Sequence, residues 1–99
     1  MSQGTLRVIA RLVARSGKEE ALRSLLMGLI APTRKESGCI TYELLQNKEN
    51  SGECTFVEEW KDETALEAHF ATDHIRDALG KFPNLLAEDL DVRRYILVA

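Results

Sequence analysis

Residues 54–74, CTFVEEWKDETALEAHFATDH, constrain this chain more than any other stretch, because their periodicity changes once, at Lys61-Asp62. Before that point Phe56, Glu58 and Trp60 alternate with Thr55, Val57 and Glu59, the period-two pattern of a strand. After it Leu66 and Phe70 stand four apart, with Ala65 and His69 as a neighbouring pair, the spacing of one helical face. Asp62 has the chemistry of a helix N-cap, and Glu63 follows in the first turn. Both carboxylates there meet unpaired amide groups and the positive end of the helix dipole. Two arrangements satisfy this pattern. Trp60 is core and His69 a half-buried surface residue, or the two wall a small apolar pocket with one polar head in it. Glu58 argues for the pocket, since a carboxylate between two aromatics on an inward face must be paired or kept wet.

The chain has 99 residues, a length that holds one domain, taken here as 1–99, with a single core. Its apolar fraction of 44% and charged fraction of 29% are those of an ordinary globular domain. The formal net charge is -3, with both signs interspersed and no basic block to attract phosphate backbones, so no nucleic-acid partner is expected. No run approaches the ~20 apolar residues of a membrane span, and MSQGTLRV lacks the order of a signal peptide; a cytoplasmic protein with no membrane partner is expected. Cys39 and Cys54 have no CxxC spacing and read as reduced, partly buried thiols.

In order along the chain, Leu6 to Ala14 reads as a strand with Leu6, Val8, Ala10 and Leu12 on one face. Ser16 and Glu19 have capping-box spacing, and the helix that follows carries Leu22, Leu25, Leu26 and Leu29. Pro32 predicts an end or a kink, and Gly38 closes the region. A second strand spans Cys39 to Asn47, with Ile40, Tyr42 and Leu44 on one face, and the polar loop 48–52 leads to its hairpin partner at Glu53 to Lys61. Beyond the Asp62-capped helix, Thr72 and Asp73 interrupt the pattern and cap a short helix with Ile75, Leu79 and Phe82 as its spine, limited by Gly80 and Pro83. Asp91 to Val98 is the last strand.

Strand, helix, strand, strand, helices, strand predicts an α+β, ferredoxin-like fold: a four-stranded antiparallel sheet with its helices on one face. The other face does not alternate cleanly with polar residues. Its sets Arg7/Ile9/Arg11/Val13, Thr55/Val57/Glu59 and Arg93/Tyr95/Leu97 mix apolar groups with charges, which predicts a two-fold homodimer packed through the sheet.

Several chemistries lack their residues. His69 and His74 stand five apart across the Thr72-Asp73 break, a poor helical register for sharing a metal, and no cysteine completes a ligand set; no metal is expected. GxSxG and a phosphate-binding glycine loop are both missing. A pocket of Trp, Tyr, Phe and imidazole is left, which suits a flat, electron-rich substrate whose phenolic or enolic proton an imidazole can accept.

Three segments, VARSGKEEALRSLL, APTRKESGCITYELLQN and above all FVEEWKDETALEAHFATDH, resemble the antibiotic biosynthesis monooxygenase family, in particular its small bacterial quinol-monooxygenase-like members. The resemblance runs from Leu6 to about Val98. It implies a ferredoxin-like homodimer, a dimeric α/β barrel, with one pocket per subunit between sheet and helices. Its oxygenating members deprotonate a phenol, hydroquinone or anthrone, and the product meets O2 with no flavin, haem or metal, so no cofactor is expected. By position, the resemblance makes Trp60 a pocket wall with His69 and His74 near its mouth, these three forming the catalytic set. Tyr42, from the GCxxY element, and Glu58 are its supporting polar groups, and Phe56 and Phe70 complete the substrate-binding set. Haem-degrading relatives need an Asn on the first strand, where this chain has Val8, Ile9 and Ala10, so haem is not expected. The family also includes isomerases of phosphorylated signalling sugars, which keeps an isomerase or a small-molecule-binding protein as the alternative.

Overall fold

The computed structural model of the chain describes residues 4–99; the first three residues of the N-terminal stretch read above lie outside the described residues. β1 (Leu6–Val13) leads through α1 (Glu19–Met27) and α2 (Ile30–Arg34) to the hairpin β2 (Cys39–Asn47) and β3 (Asn50–Trp60). Helices α3 (Glu63–Phe70) and α4 (Asp73–Leu85) follow, and β4 (Asp91–Ile96) closes the fold. The strands lie in the order β2-β3-β1-β4 with every neighbouring pair antiparallel, the ferredoxin-like arrangement. Leu6, Val8, Ala10 and Leu12 of β1 are buried, as are Cys54, Phe56, Glu58 and Trp60 of β3, while the residues between them are half-buried on the opposite face. Leu22, Leu26, Leu66, Ile75 and Phe82 cover the buried face from the helices. No described helix is long and apolar enough to cross a membrane, and both cysteines are free.

Local details depart from the pattern for identifiable reasons. Lys18, not Ser16, is the N-cap of α1 and makes no side-chain cap bond. Gly17, at φ +86°, makes the turn in the left-handed region and sets the helix start beyond the serine. The first helical segment breaks at Gly28, upstream of Pro32, which sits inside α2. A proline has no N–H for the carbonyl four residues back, and that carbonyl belongs to Gly28. β3 starts at Asn50, three residues before the expected Glu53, because the Asn47 Oδ1 accepts the Glu49 N–H at 2.8 Å and tightens the turn. The β2 register shifts between Cys39 and Thr41, and Ile40 is 53% exposed, so it does not share the buried Tyr42 face.

α4 runs through both Gly80 and Pro83 to Leu85 rather than stopping short. Burial of Ile75, Ala78 and Phe82 on one stripe outweighs one lost hydrogen bond in the last turn. β4 ends at Ile96, two residues early, because Ile96 pairs with Leu6, where β1 begins. Leu97 and Val98 are exposed.

Candidate active site

The strand-to-helix turn forms as its sequence dictates. β3 ends at Trp60, and Asp62 caps α3 by accepting the Ala65 N–H at 2.8 Å. Gly38 lies against the start of that helix; a Cβ there would come within 2.2 Å of the Ala65 Cβ. Because glycine has none, the loop between α2 and β2 passes close to α3. Its Glu36 thereby reaches His69, one helical turn beyond Ala65.

Glu36 Oε2 stands 2.9 Å from His69 Nδ1 and 2.7 Å from His74 Nε2. A carboxylate only accepts, so both nitrogens carry their protons toward it. Thr72 Oγ1 donates to the His69 carbonyl at 2.7 Å and lies 3.3 Å from His74 Nε2. The His69 side chain is buried, and that of His74 is 24% exposed. Burial pushes the His69 imidazole below its ordinary pKa, against the hydrogen bond and charge of Glu36, so the neutral ring is favoured.

His69 is also an aromatic neighbour. Its ring centroid lies 4.5 Å from that of Trp60 and 5.6 Å from that of Tyr42, which itself stacks on Phe56 at 4.7 Å. The Trp60 Nε1–H donates to Glu58 Oε1 at 2.7 Å, two residues away on the same strand face. Burial raises the Glu58 carboxyl to about 7; the Trp60 bond opposes the rise and the Glu36 charge adds to it. Burial likewise pushes the Tyr42 phenol well above its usual value, with Glu58 reinforcing and Thr33 opposing. Thr33 Oγ1 falls short of a full hydrogen bond to it, being buried with no partner of good geometry.

A small cavity of about 40 Å³ opens between sheet and helices. Ala10, Tyr42, Phe56 and Glu58 form its sheet side, and His69, Phe70, Ile75 and Phe82 its helix side. Among the residues expected at the site, five therefore meet: Tyr42, Phe56, Glu58, His69 and Phe70. Trp60 is fully buried and does not line the space; it acts on it through Glu58 and His69. His74 stands outside the lining, joined to it by Glu36. Glu36 is the residue that sequence reasoning missed. The one signal for it was Gly38 two residues on, a glycine in a loop that no turn type required.

Glu36, His69 and His74 are also the one described trio with metal-ligand chemistry, their donor atoms lying within 4.8 Å of one another. The two histidines sit on separate helices, so their spacing along the chain does not decide the matter. Two ligands on a tetrahedral zinc stand about 3.3 Å apart. Both imidazoles here approach a single carboxylate oxygen more closely than that, each with its N–H turned toward it. At these separations the trio can share protons. Ala10 lines the cavity with a methyl group, so β1 offers it no amide.

The sequence profile of antibiotic biosynthesis monooxygenases matches residues 5–81. The chain belongs to this family. Rv0793 from Mycobacterium tuberculosis is 34% identical over 85 residues, which cover 86% of this chain and 83% of that protein. The solved structure of Rv0793 is similar with a TM-score of 0.91 at 30% identity, over 97% of each chain. PA3566 from Pseudomonas aeruginosa, also solved, gives 0.91 at 34% identity over 100% of this chain and 99% of that one. The Synechocystis protein sll1783 is 30% identical over 88 residues, 89% of this chain, but the chain spans only 60% of that relative's length. Within this antibiotic biosynthesis monooxygenase domain the matched span contains Glu36, Tyr42, Glu58, Trp60, His69 and His74, so the whole cluster lies in the part that defines the family.

Proposed function

We propose that the domain is a cofactor-independent monooxygenase that oxidises a small hydroxylated aromatic or quinol with O2. One observation carries the reading: an apolar cavity with two ionisable groups on it, a His69 imidazole held neutral and a Glu58 carboxyl near 7. Family membership supports a monooxygenase-like activity. Rv0793 and the Bacillus subtilis relative YcnE carry names that assign them, provisionally, as monooxygenases.

A hydroquinone makes the chemistry balance without an outside reductant. Its hydroxyl proton passes to His69 Nε2, and the electron-rich ring adds O2 at the neighbouring carbon. The O–O bond then breaks; one oxygen stays on the ring and the other leaves as water, giving a hydroxyquinone. All four electrons come from the substrate. Neutral Glu58 supplies a proton to the departing oxygen. The cavity, at about 40 Å³, holds a few water-sized molecules, whereas ligand sites commonly reach ~300 Å³ or more. Admitting a ring therefore requires side chains of the lining to move. The working unit we propose is a homodimer packed through the outer sheet face.

The test is oxygen uptake by metal-free protein with a hydroquinone panel, read against autoxidation. Enhancement over the blank is expected, and His69→Gln should lower it by about 10²- to 10⁴-fold. No enhancement across the panel overturns the oxygenase reading. Anaerobic conversion of a ketose-type substrate would assign the cavity to isomerisation instead.

A further inference from the structure

We propose that Glu36 is the positioning residue that makes His69 a base toward the cavity, with His74 as the second tether that holds the Glu36 carboxylate in place. The inference rests on the oxygenase reading only for its kinetic consequence; the geometry stands apart from it.

An imidazole can serve as a base only through a nitrogen that has no proton, and which nitrogen that is depends on what the other one binds. Glu36 binds Nδ1 of His69 at 2.9 Å and so leaves Nε2 as the acceptor. Nε2 has no hydrogen-bond partner among the described residues, and His69 lines the cavity. A carboxylate behind a base also stabilises the imidazolium that forms when the base takes a proton, as in the hydrolase triads. Burial works against that cation at His69, and Glu36 is the group that works for it. Glu36 is not on a rigid element. It sits in the loop after α2, its side chain 14% exposed. His74, anchored on α4 and 2.7 Å from the same oxygen, supplies the rigidity. The other ionisable groups around His69 are Tyr42 on β2 and Glu58 on β3, neither of them hydrogen-bonded to either of its ring nitrogens.

The experiment reads the His69 ring directly. Two-bond proton–nitrogen correlation spectra of the ¹⁵N-histidine-labelled full chain are recorded across pH for wild type, Glu36→Gln, Glu36→Leu and His74→Gln. Wild type should show one neutral tautomer for His69, protonated at Nδ1. Glu36→Leu should show both tautomers. Glu36→Gln, whose amide oxygen still accepts the N–H, should keep the tautomer but titrate at lower pH, because the charge is gone. If the leucine variant does not fold, the glutamine midpoint decides alone. With hydroquinone as the probe, Glu36→Gln should lower kcat on the order of 10²-fold or more with KM little changed, and Glu36→Asp should restore part of it. A His69 that keeps its tautomer and its midpoint in the Glu36 variants overturns the proposal. So does stoichiometric Zn²⁺ binding by calorimetry that both Glu36→Gln and His74→Gln abolish, which would make the trio ligands. Failure of the oxygenase reading looks different: His69→Gln would leave oxygen uptake unchanged while the Glu36 variants still moved the His69 spectrum.

Discussion

Glu58 sits where a carboxyl loses its hydration, on the buried face of β3 between Phe56 and Trp60, and its pKa rises to about 7. A carboxyl raised above its unfolded value of 4.5 binds its proton more tightly in the folded state. Its contribution to stability is fully present below pH 4.5 and is lost as pH climbs to about 7, a swing of about 3 kcal/mol. Glu58→Gln keeps an acceptor for the Trp60 indole but cannot titrate. Urea midpoints at pH 5 and pH 8 should therefore fall more in wild type than in Glu58→Gln. His69, whose pKa is depressed, pulls the other way, losing stability as pH drops below 6.5, but it is common to both proteins and cancels in the difference. His69 itself is 3% exposed and packed on Trp60, and so is no half-buried surface residue. His69→Gln should lower the melting temperature as well as turnover. Trp60→Ala should cost about 3–5 kcal/mol, read by the same urea titration.

Where α3 meets the loop after α2, Gly38 and Ala65 touch so closely that neither can grow. Gly38→Ala must push the loop away from the helix, at a cost of about 1–3 kcal/mol. It should also lengthen the contact between Glu36 and His69. Ala65→Gly removes the methyl group that the new Cβ would meet. The double variant should therefore be more stable than Gly38→Ala alone, despite the ~1 kcal/mol that a helical glycine costs. Denaturation of the four proteins completes the cycle, and additive losses would show that the two positions do not clash. The Asp62 cap is a separate local device; Asp62→Ala should cost about 0.5–2 kcal/mol and fray the start of α3.

On the outer sheet face the arginines are partly engaged already: Arg11 pairs with Glu53 at 2.9 Å and with Glu88 at 3.3 Å, and Arg7 approaches Glu59 at 3.7 Å. Between and beside them lie Ile9, Val13 and Val57, half-buried, and Tyr95 and Leu97, 47% and 62% exposed. Such a surface, ions neutralised and apolar groups open, suits a second copy better than water. The proposed dimer has a mass of about 22 kDa, twice the 11.1 kDa chain, and should bury ~1,600 Å² if its interface is of standard size. Val57→Glu or Leu97→Glu should shift sedimentation toward monomer, and a wild type that is monomeric at micromolar concentration would refute the assembly.

The order of elements, the Asp62 cap and the inward Phe56-Glu58-Trp60 face were determined by the sequence itself, because each depends on spacing or on a neighbour a few residues away. The ends of α4 and β4 and the bulge at Ile40 were not, since packing against the sheet and pairing with β1 set them. The largest gap concerned the site. Nothing local links Glu36 to His69, 33 residues apart, or marks a loop carboxylate as the partner of two histidines on different helices. Only the close passage at Gly38 brings them together, and a contact of that kind comes into being when the helices close over the sheet.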